Sequence, residues 1–333
     1  MIASTLRHSL AGAALALTAL LGCAGAPAMA QSDPAAGYPS KPIKLIVPFA
    51  AGGGNDIFAR LVGAKASEYL GQQFIIENRP AAGGRVAAEF VTQQPADGYT
   101  LFVGASGVMS IAAAIYPKLT YHPTKSFMPL AMIASFPLIL VSSPTIPVKT
   151  VAELVAYSKA NPDKSNYAHT SAAFLIPAEI LKLGTGMPAT GVPVKSSAEM
   201  VQCVMQDLCS FTFTDGPPAI PQINDGKVRA LAVTGSERSS ELPDTPSMVE
   251  AGFPDVNVKI WAGFFAPTGT PPAIAKKLED AMQKAVRDPD VSAKLKAMAV
   301  NPGRVTSDEF RKIIDADIES YVAVVKKANL TFE

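Results

Sequence analysis

The residues best suited to hold a ligand lie in Val47-Pro48-Phe49-Ala50-Ala51-Gly52-Gly53-Gly54-Asn55-Asp56, an apolar strand that passes through a glycine turn into a helix. Gly52, Gly53 and Gly54 let the backbone take positive φ and approach a guest closely, while free N–H groups and the helix dipole favour an anion. The segment therefore reads as a carboxylate or phosphate cradle, or else as a tight strand-to-helix turn with no guest. No Gly-Lys-Ser/Thr follows and G-x-G-x-x-G is absent, so neither a Walker loop nor a dinucleotide fingerprint is present. A second turn, Gly104-Ala105-Ser106-Gly107 followed by Val108, ends another apolar strand. It is expected beside the first, where Ser106 would donate its hydroxyl proton to a carboxylate or serve as an ordinary turn serine.

Catalytic chemistry is poorly supplied. Beyond the leader the histidines are His122, in the loop dipeptide before Pro123, and His169, in Tyr167-Ala168-His169-Thr170-Ser171. His122 has no acidic residue at triad or metal spacing. His169 stands at a strand-to-helix junction and is expected to face a cleft as a hydrogen-bonding group, together with Thr170, Ser171 and Phe174. The Ser106 turn is one residue short of a Gly-x-Ser-x-Gly elbow, and no Cys/His cluster has zinc spacing. These residues point to a binding protein with no metal and no cofactor. The competing reading is an exported α/β esterase built on Ser106 and His169.

These turns must be positioned by strands and helices. Short apolar, β-branched runs at 43–47, 74–77, 99–103, 138–142, 210–214, 228–233 and 260–266 read as strands. Helical patterns begin at Asp56, Arg85 and Thr150, the last with the capping box Thr150…Glu153. Two more helices, 272–287 and 307–327, close the chain. The alternation predicts α/β architecture with mostly parallel sheets. A chain of 333 residues exceeds one comfortable core. No linker separates sequential domains, so the lobes are expected to be discontinuous, 31–141 with 260–333 and 142–259, joined by a hinge.

Composition narrows the class further. With 29 basic and 28 acidic residues, no global field would attract nucleic acid or an anionic membrane surface. Arg7, the apolar run Leu10–Leu21 and Ala28-Met29-Ala30 form a secretory signal over residues 1–30. Cleavage after Ala30 is expected, in preference to acylation at the lipobox-like Leu21-Gly22-Cys23. In an oxidising compartment Cys203 and Cys209 would form a disulfide or remain as buried thiols.

The mature chain resembles the periplasmic receptors of tripartite tricarboxylate transporters, the Bug family. The resemblance runs from about Tyr38 to the carboxyl end. Its marks are Pro48-Phe49 with Gly52-Gly53 and Asp56, Glu77-Asn78-Arg79-Pro80 with Gly83-Gly84, Pro95-Ala96-Asp97-Gly98-Tyr99, Lys149-Thr150-Val151-Ala152-Glu153-Leu154, Gly226-Lys227-Val228-Arg229-Ala230 and Ala266-Pro267-Thr268-Gly269. The resemblance implies a two-lobed clamshell, acting as a monomer, that captures a small organic carboxylate. Loops Phe49–Asp56 and Gly104–Val108 would hold the carboxylate, Ala105 included, and Asp215 would bind an amino or hydroxyl group or cap a helix. The implied partner is a two-subunit membrane permease, or a sensor kinase if the closed form serves signalling. Departures from the pattern matter as well. Bulky Ala172-Ala173-Phe174 stands where glycine and serine are usual, and Lys195-Ser196-Ser197 replaces Tyr-Lys-Gly. An apolar or aromatic ligand body follows from the first departure.

Overall fold

The computed structural model describes residues 35–327, so the expected signal at 1–30 and Cys23 lie outside the described residues. Along the chain run β1 (Ile43–Val47), α1 (Gly54–Leu70), β2 (Phe74–Asn78), α2 (Arg85–Thr92), β3 (Thr100–Ala105), α3 (Ser110–Ile115) and β4 (Phe127–Pro137). Next come β5 (Ile139–Ser142), α4 (Val151–Ala160), β6 (Asn166–His169), α5 (Ala172–Thr185), β7 (Thr190–Pro193), α6 (Ser197–Met205), β8 (Phe211–Thr214), α7 (Gly216–Asn224) and β9 (Arg229–Val233). The chain then returns through β10 (Lys259–Pro267), α8 (Pro272–Arg287), α9 (Pro289–Ala297), β11 (Asn301–Pro302) and α10 (Ser307–Lys327).

Two sheets result. One has the order β11-β4-β10-β3-β1-β2 and the other β7-β6-β8-β5-β9. Both are mixed, which corrects the expectation of mostly parallel sheets. Among the described residues, β1 pairs in parallel with β2 and β3, and β6 with β7 and β8, whereas β10–β3, β10–β4, β11–β4, β5–β8 and β5–β9 are antiparallel. The physical reason is the double crossing. A chain that leaves the first sheet through β4 and β5, separated by Leu138 alone, must come back through β9 and β10, and it inserts those strands against the grain. The crossings are clipped together by Thr234, whose hydroxyl accepts the Leu138 N–H at 2.8 Å and donates to the Val258 carbonyl.

Strands buried on both faces require continuous apolar runs. β1 comes close to that, with Ile43, Leu45, Ile46 and Val47 buried and Lys44 alone exposed. The first sheet's core is aromatic: Phe102 stacks on Phe127 with centroids 5.5 Å apart, and Trp261 meets Phe310 edge-on at 4.9 Å. Each such pair contributes roughly 0.5–1.5 kcal/mol beyond area burial. The α4 capping box is present, with the Glu153 N–H donating to Thr150 Oγ1 at 3.1 Å and the Thr150 N–H to Glu153 Oε2 at 3.2 Å. Cys203 and Cys209 are bridged, with Cα atoms 5.2 Å apart, which ties the last turn of α6 to the entry of β8.

Candidate functional site

Loops at the carboxyl ends of strands from the two sheets meet face to face. The first sheet contributes the turn before α1, the Ala82–Gly84 turn before α2 and the Ser106–Met109 loop before α3. The second contributes Thr170-Ser171 before α5, Ser196-Ser197 at the start of α6, and Asp215 before α7. Close approach shows at the glycines. A Cβ added at Gly54 would lie 2.2 Å from Asp215 Oδ2, at Gly83 3.4 Å from the Thr170 carbonyl oxygen, and at Gly107 2.6 Å from Ser171 Oγ. The helix N-termini brought together here carry partial positive charge, each about half a unit.

The glycine turn is built around Asp56. Its carboxylate accepts the Gly52 N–H at 3.0 Å, the Arg60 guanidinium and the Asn78 amide at 3.0 Å, and that amide also donates to the Phe49 carbonyl at 2.9 Å. Burial alone would raise this carboxyl, but Arg60, Gly52 and Asn78 together hold it below the ordinary carboxylate range. Asp56 thus positions the turn rather than meeting a guest. Gly52 takes φ +84°, which only glycine adopts without strain, whereas Gly53 is extended at φ −79°. Of the three glycine N–H groups, that of Gly52 goes to Asp56 and that of Gly54 to Ser197 Oγ at 3.1 Å.

Several expected ligand groups are committed elsewhere. Ser106 is 0% exposed. Its N–H donates to the Trp261 carbonyl at 3.0 Å and its Oγ accepts the Trp261 N–H at 3.2 Å, so it fastens the end of β3 to β10. That corrects its reading as a free carboxylate donor. Phe49 and Val108 are core side chains, packed in the same buried cluster as Ile46 and Met109; Ala105, also in that cluster, is buried at the end of β3. His169 packs 3.1 Å from the Cβ position of Gly191 and 5.9 Å, centroid to centroid, from the Tyr167 ring. Burial lowers its pKa against the opposing pull of Glu179. Among the described residues no hydrogen bond joins His169 to Ser106, and no group of three or more His, Cys, Asp or Glu is placed to hold a metal ion.

Other groups are buried at the seam without a protein partner: Asn55 Oδ1 at the start of α1, Ser171 Oγ at the cap of α5 and Asp215 Oδ1 at the cap of α7. Leaving such an atom unpaired costs roughly 1–3 kcal/mol, so each calls for a partner. Asp215 is 1% exposed, and burial pushes its carboxyl up to about 6 despite the Ser197 hydroxyl and the N–H groups of Asp215 and Gly54. Thr170 and Phe174 are buried in the same junction. Ser197 lay outside the expected ligand set, and Asn55 lay within the expected loop Phe49–Asp56 without being singled out. Asn55 was legible as a polar side chain in the first turn of the helix that follows the glycines.

A family model described as the tripartite tricarboxylate transporter family receptor matches residues 58–330. The chain belongs to this family. The receptor is 30% identical over 294 residues to protein BugT of Bordetella pertussis, covering 87% of this chain and 90% of that protein. A solved Rhodopseudomonas structure, described as R. palustris with adipate, superposes with TM-score 0.84 at 31% identity, covering 88% of the receptor and 99% of that chain. MatC from Rhodopseudomonas palustris with bound malate superposes with TM-score 0.83 at 32% identity, covering 86% and 100%. The receptor thus has the two-sheet α/β fold of a solute-binding protein, and among its described residues no helix is long and apolar enough to cross a membrane.

Proposed function

We propose that this receptor is exported to the periplasm, where it captures a small organic carboxylate at the seam between its sheets and delivers it, as a monomer, to a two-subunit membrane permease. The observation that carries this reading is the meeting of helix N-termini at a buried seam rich in glycine and hydroxyl groups, an arrangement that favours an anion. The buried atoms of Asn55, Ser171 and Asp215 that lack protein partners support it, as do the adipate and malate in similar proteins. Below about pH 6 Asp215 would hold a proton and donate to a carboxylate oxygen; above it, the residue would accept from a hydroxyl or amino group. Buried Ala172, Ala173 and Phe174 give the second face an apolar side, which suits a ligand with a short apolar or aromatic body.

In this reading residues 31–141 with 260–333 and residues 142–259 rotate as two bodies about Leu138 and the Thr234–Val258 clip, and the protein carries no catalytic activity. A thermal-shift screen of aliphatic and aromatic carboxylates, adipate and malate included, tests it. A true ligand at 100 times its dissociation constant adds about 2.7 kcal/mol of stability. At least one acid is expected to raise Tm while its neutral amide does not. Equal stabilisation by acid and amide would sink the carboxylate reading.

A further inference from the structure

Two hydrogen bonds run directly between the facing loops. The Ala50 N–H donates to the Lys195 carbonyl at 3.0 Å, and the Gly54 N–H, at the first residue of α1, donates to Ser197 Oγ at 3.1 Å. Both join protein to protein. The fit around them is close: a Cβ at Gly53 would stand 3.2 Å from Ser197 Oγ and 3.3 Å from Ser196 Cβ.

Each partner is itself held rigidly. Ser196 caps α6 by accepting the Glu199 N–H at 3.2 Å, and the Cys203–Cys209 bridge anchors the far end of that short helix. On the other side, Asp56 fixes the turn through Gly52, Arg60 and Asn78. Two braced pieces therefore meet at these bonds, beside the Asp215 carboxylate, which the Ser197 hydroxyl and the Gly54 N–H also favour in its charged form.

We propose that Ser197 is a positioning residue that latches the seam shut independently of any ligand. By accepting the Gly54 N–H it holds the amino end of α1 against α6, and a guest passes only when that bond and its Ala50–Lys195 neighbour open together. It acts through Gly54, whose N–H it accepts, and through Asp215, whose carboxylate its hydroxyl favours in the charged form. The inference stands whatever the ligand proves to be.

The test uses the ligand-free mature protein and amide hydrogen exchange read residue by residue. The Ala50 and Gly54 amides are expected to exchange slowly in the parent. Ser197→Ala, which alanine's helix preference makes safe for folding, should speed both by roughly three- to ten-fold, the size of one neutral hydrogen bond. The amides of Val201 and Val204 inside α6 should hold, and Tm should fall by no more than about 4 °C, the size expected for one such bond. Ser197→Gly, which also lacks the hydroxyl, should act on Ala50 and Gly54 in the same way and serves as the second variant if alanine perturbs the helix. Unprotected Ala50 and Gly54 amides in the parent would overturn the latch, as would unchanged protection in both variants. Loss of protection throughout α6 in both would show a structural role and overturn it too. Since no carboxylate enters the experiment, failure here leaves the receptor reading standing, and failure of the carboxylate screen leaves the latch standing.

Discussion

Replacing Asp215 with asparagine should change how stability depends on pH. The carboxyl is 1% exposed, and its Oδ2 lies so close to Gly54 that a Cβ there would approach to 2.2 Å. Burial pushes it from the ordinary 3.8 up to about 6. Between those values the native state holds a proton that the unfolded chain has released, so the free energy of unfolding falls as pH rises through the window. A shift of about two units at 1.36 kcal/mol each makes the full loss about 3 kcal/mol. Asparagine has no proton to release, so Asp215→Asn should gain on the parent by up to that amount as the pH rises. Other groups titrate nearby: burial raises Asp317 in the same sense, while burial lowers His122 and His169 and acts in the opposite sense. Those contributions are common to parent and variant and cancel in the difference. Trp261, the single tryptophan of the chain, reports unfolding by fluorescence. Urea midpoints would be compared from roughly pH 4.5 to 7.5. A parent-minus-variant difference flat to within about 0.5 kcal/mol across that range, against an expected change of about 2 kcal/mol within it, would refute the reasoning.

Gly216→Ala would set a Cβ 1.8 Å from the Met298 carbonyl oxygen; overpacking of this kind costs roughly 1–3 kcal/mol. Calorimetry with a carboxylate found in the screen should show a loss of about five-fold or more, and parent-like binding would mean that this contact does not belong to the bound form. Asp56→Asn removes a carboxyl held low by its partners, whose stabilisation is present above about pH 4 and lost as pH falls below it. The variant's acid unfolding curve should therefore be flatter than the parent's, and an identical acid limb would show that Asp56 is not the group responsible. Reducing the Cys203–Cys209 bridge, which closes a loop of a few residues, should cost about 2 kcal/mol. An unchanged Tm in reductant would remove the bridge from the stability of α6.

Local order determined what the sequence could say. The run Ile43–Val47, the glycine turn and the helix it enters depend on neighbours within a few residues, as does the Thr150…Glu153 cap; the strand and the cap lie where their patterns predict, and the helix begins at Gly54, ahead of the expected Asp56. The ends of α2, α8 and α10 were equally legible from apolar spacing. Strand direction was not: an apolar run reads the same in a parallel or an antiparallel sheet, and only the double crossing decided that β4, β5, β9 and β10 run against their neighbours.

The roles of polar groups depended on the tertiary structure most of all. Ser106 looked free to meet a ligand until the fold brought Trp261, 155 positions away, against both its polar atoms. Gly54 looked like one of three open donors until the fold set Ser197, 143 positions away, in front of it. A sequence shows which groups can donate or accept, because that is fixed by residue type. Which partner each one finds depends on chain segments far apart in sequence, so only the folded structure assigns it.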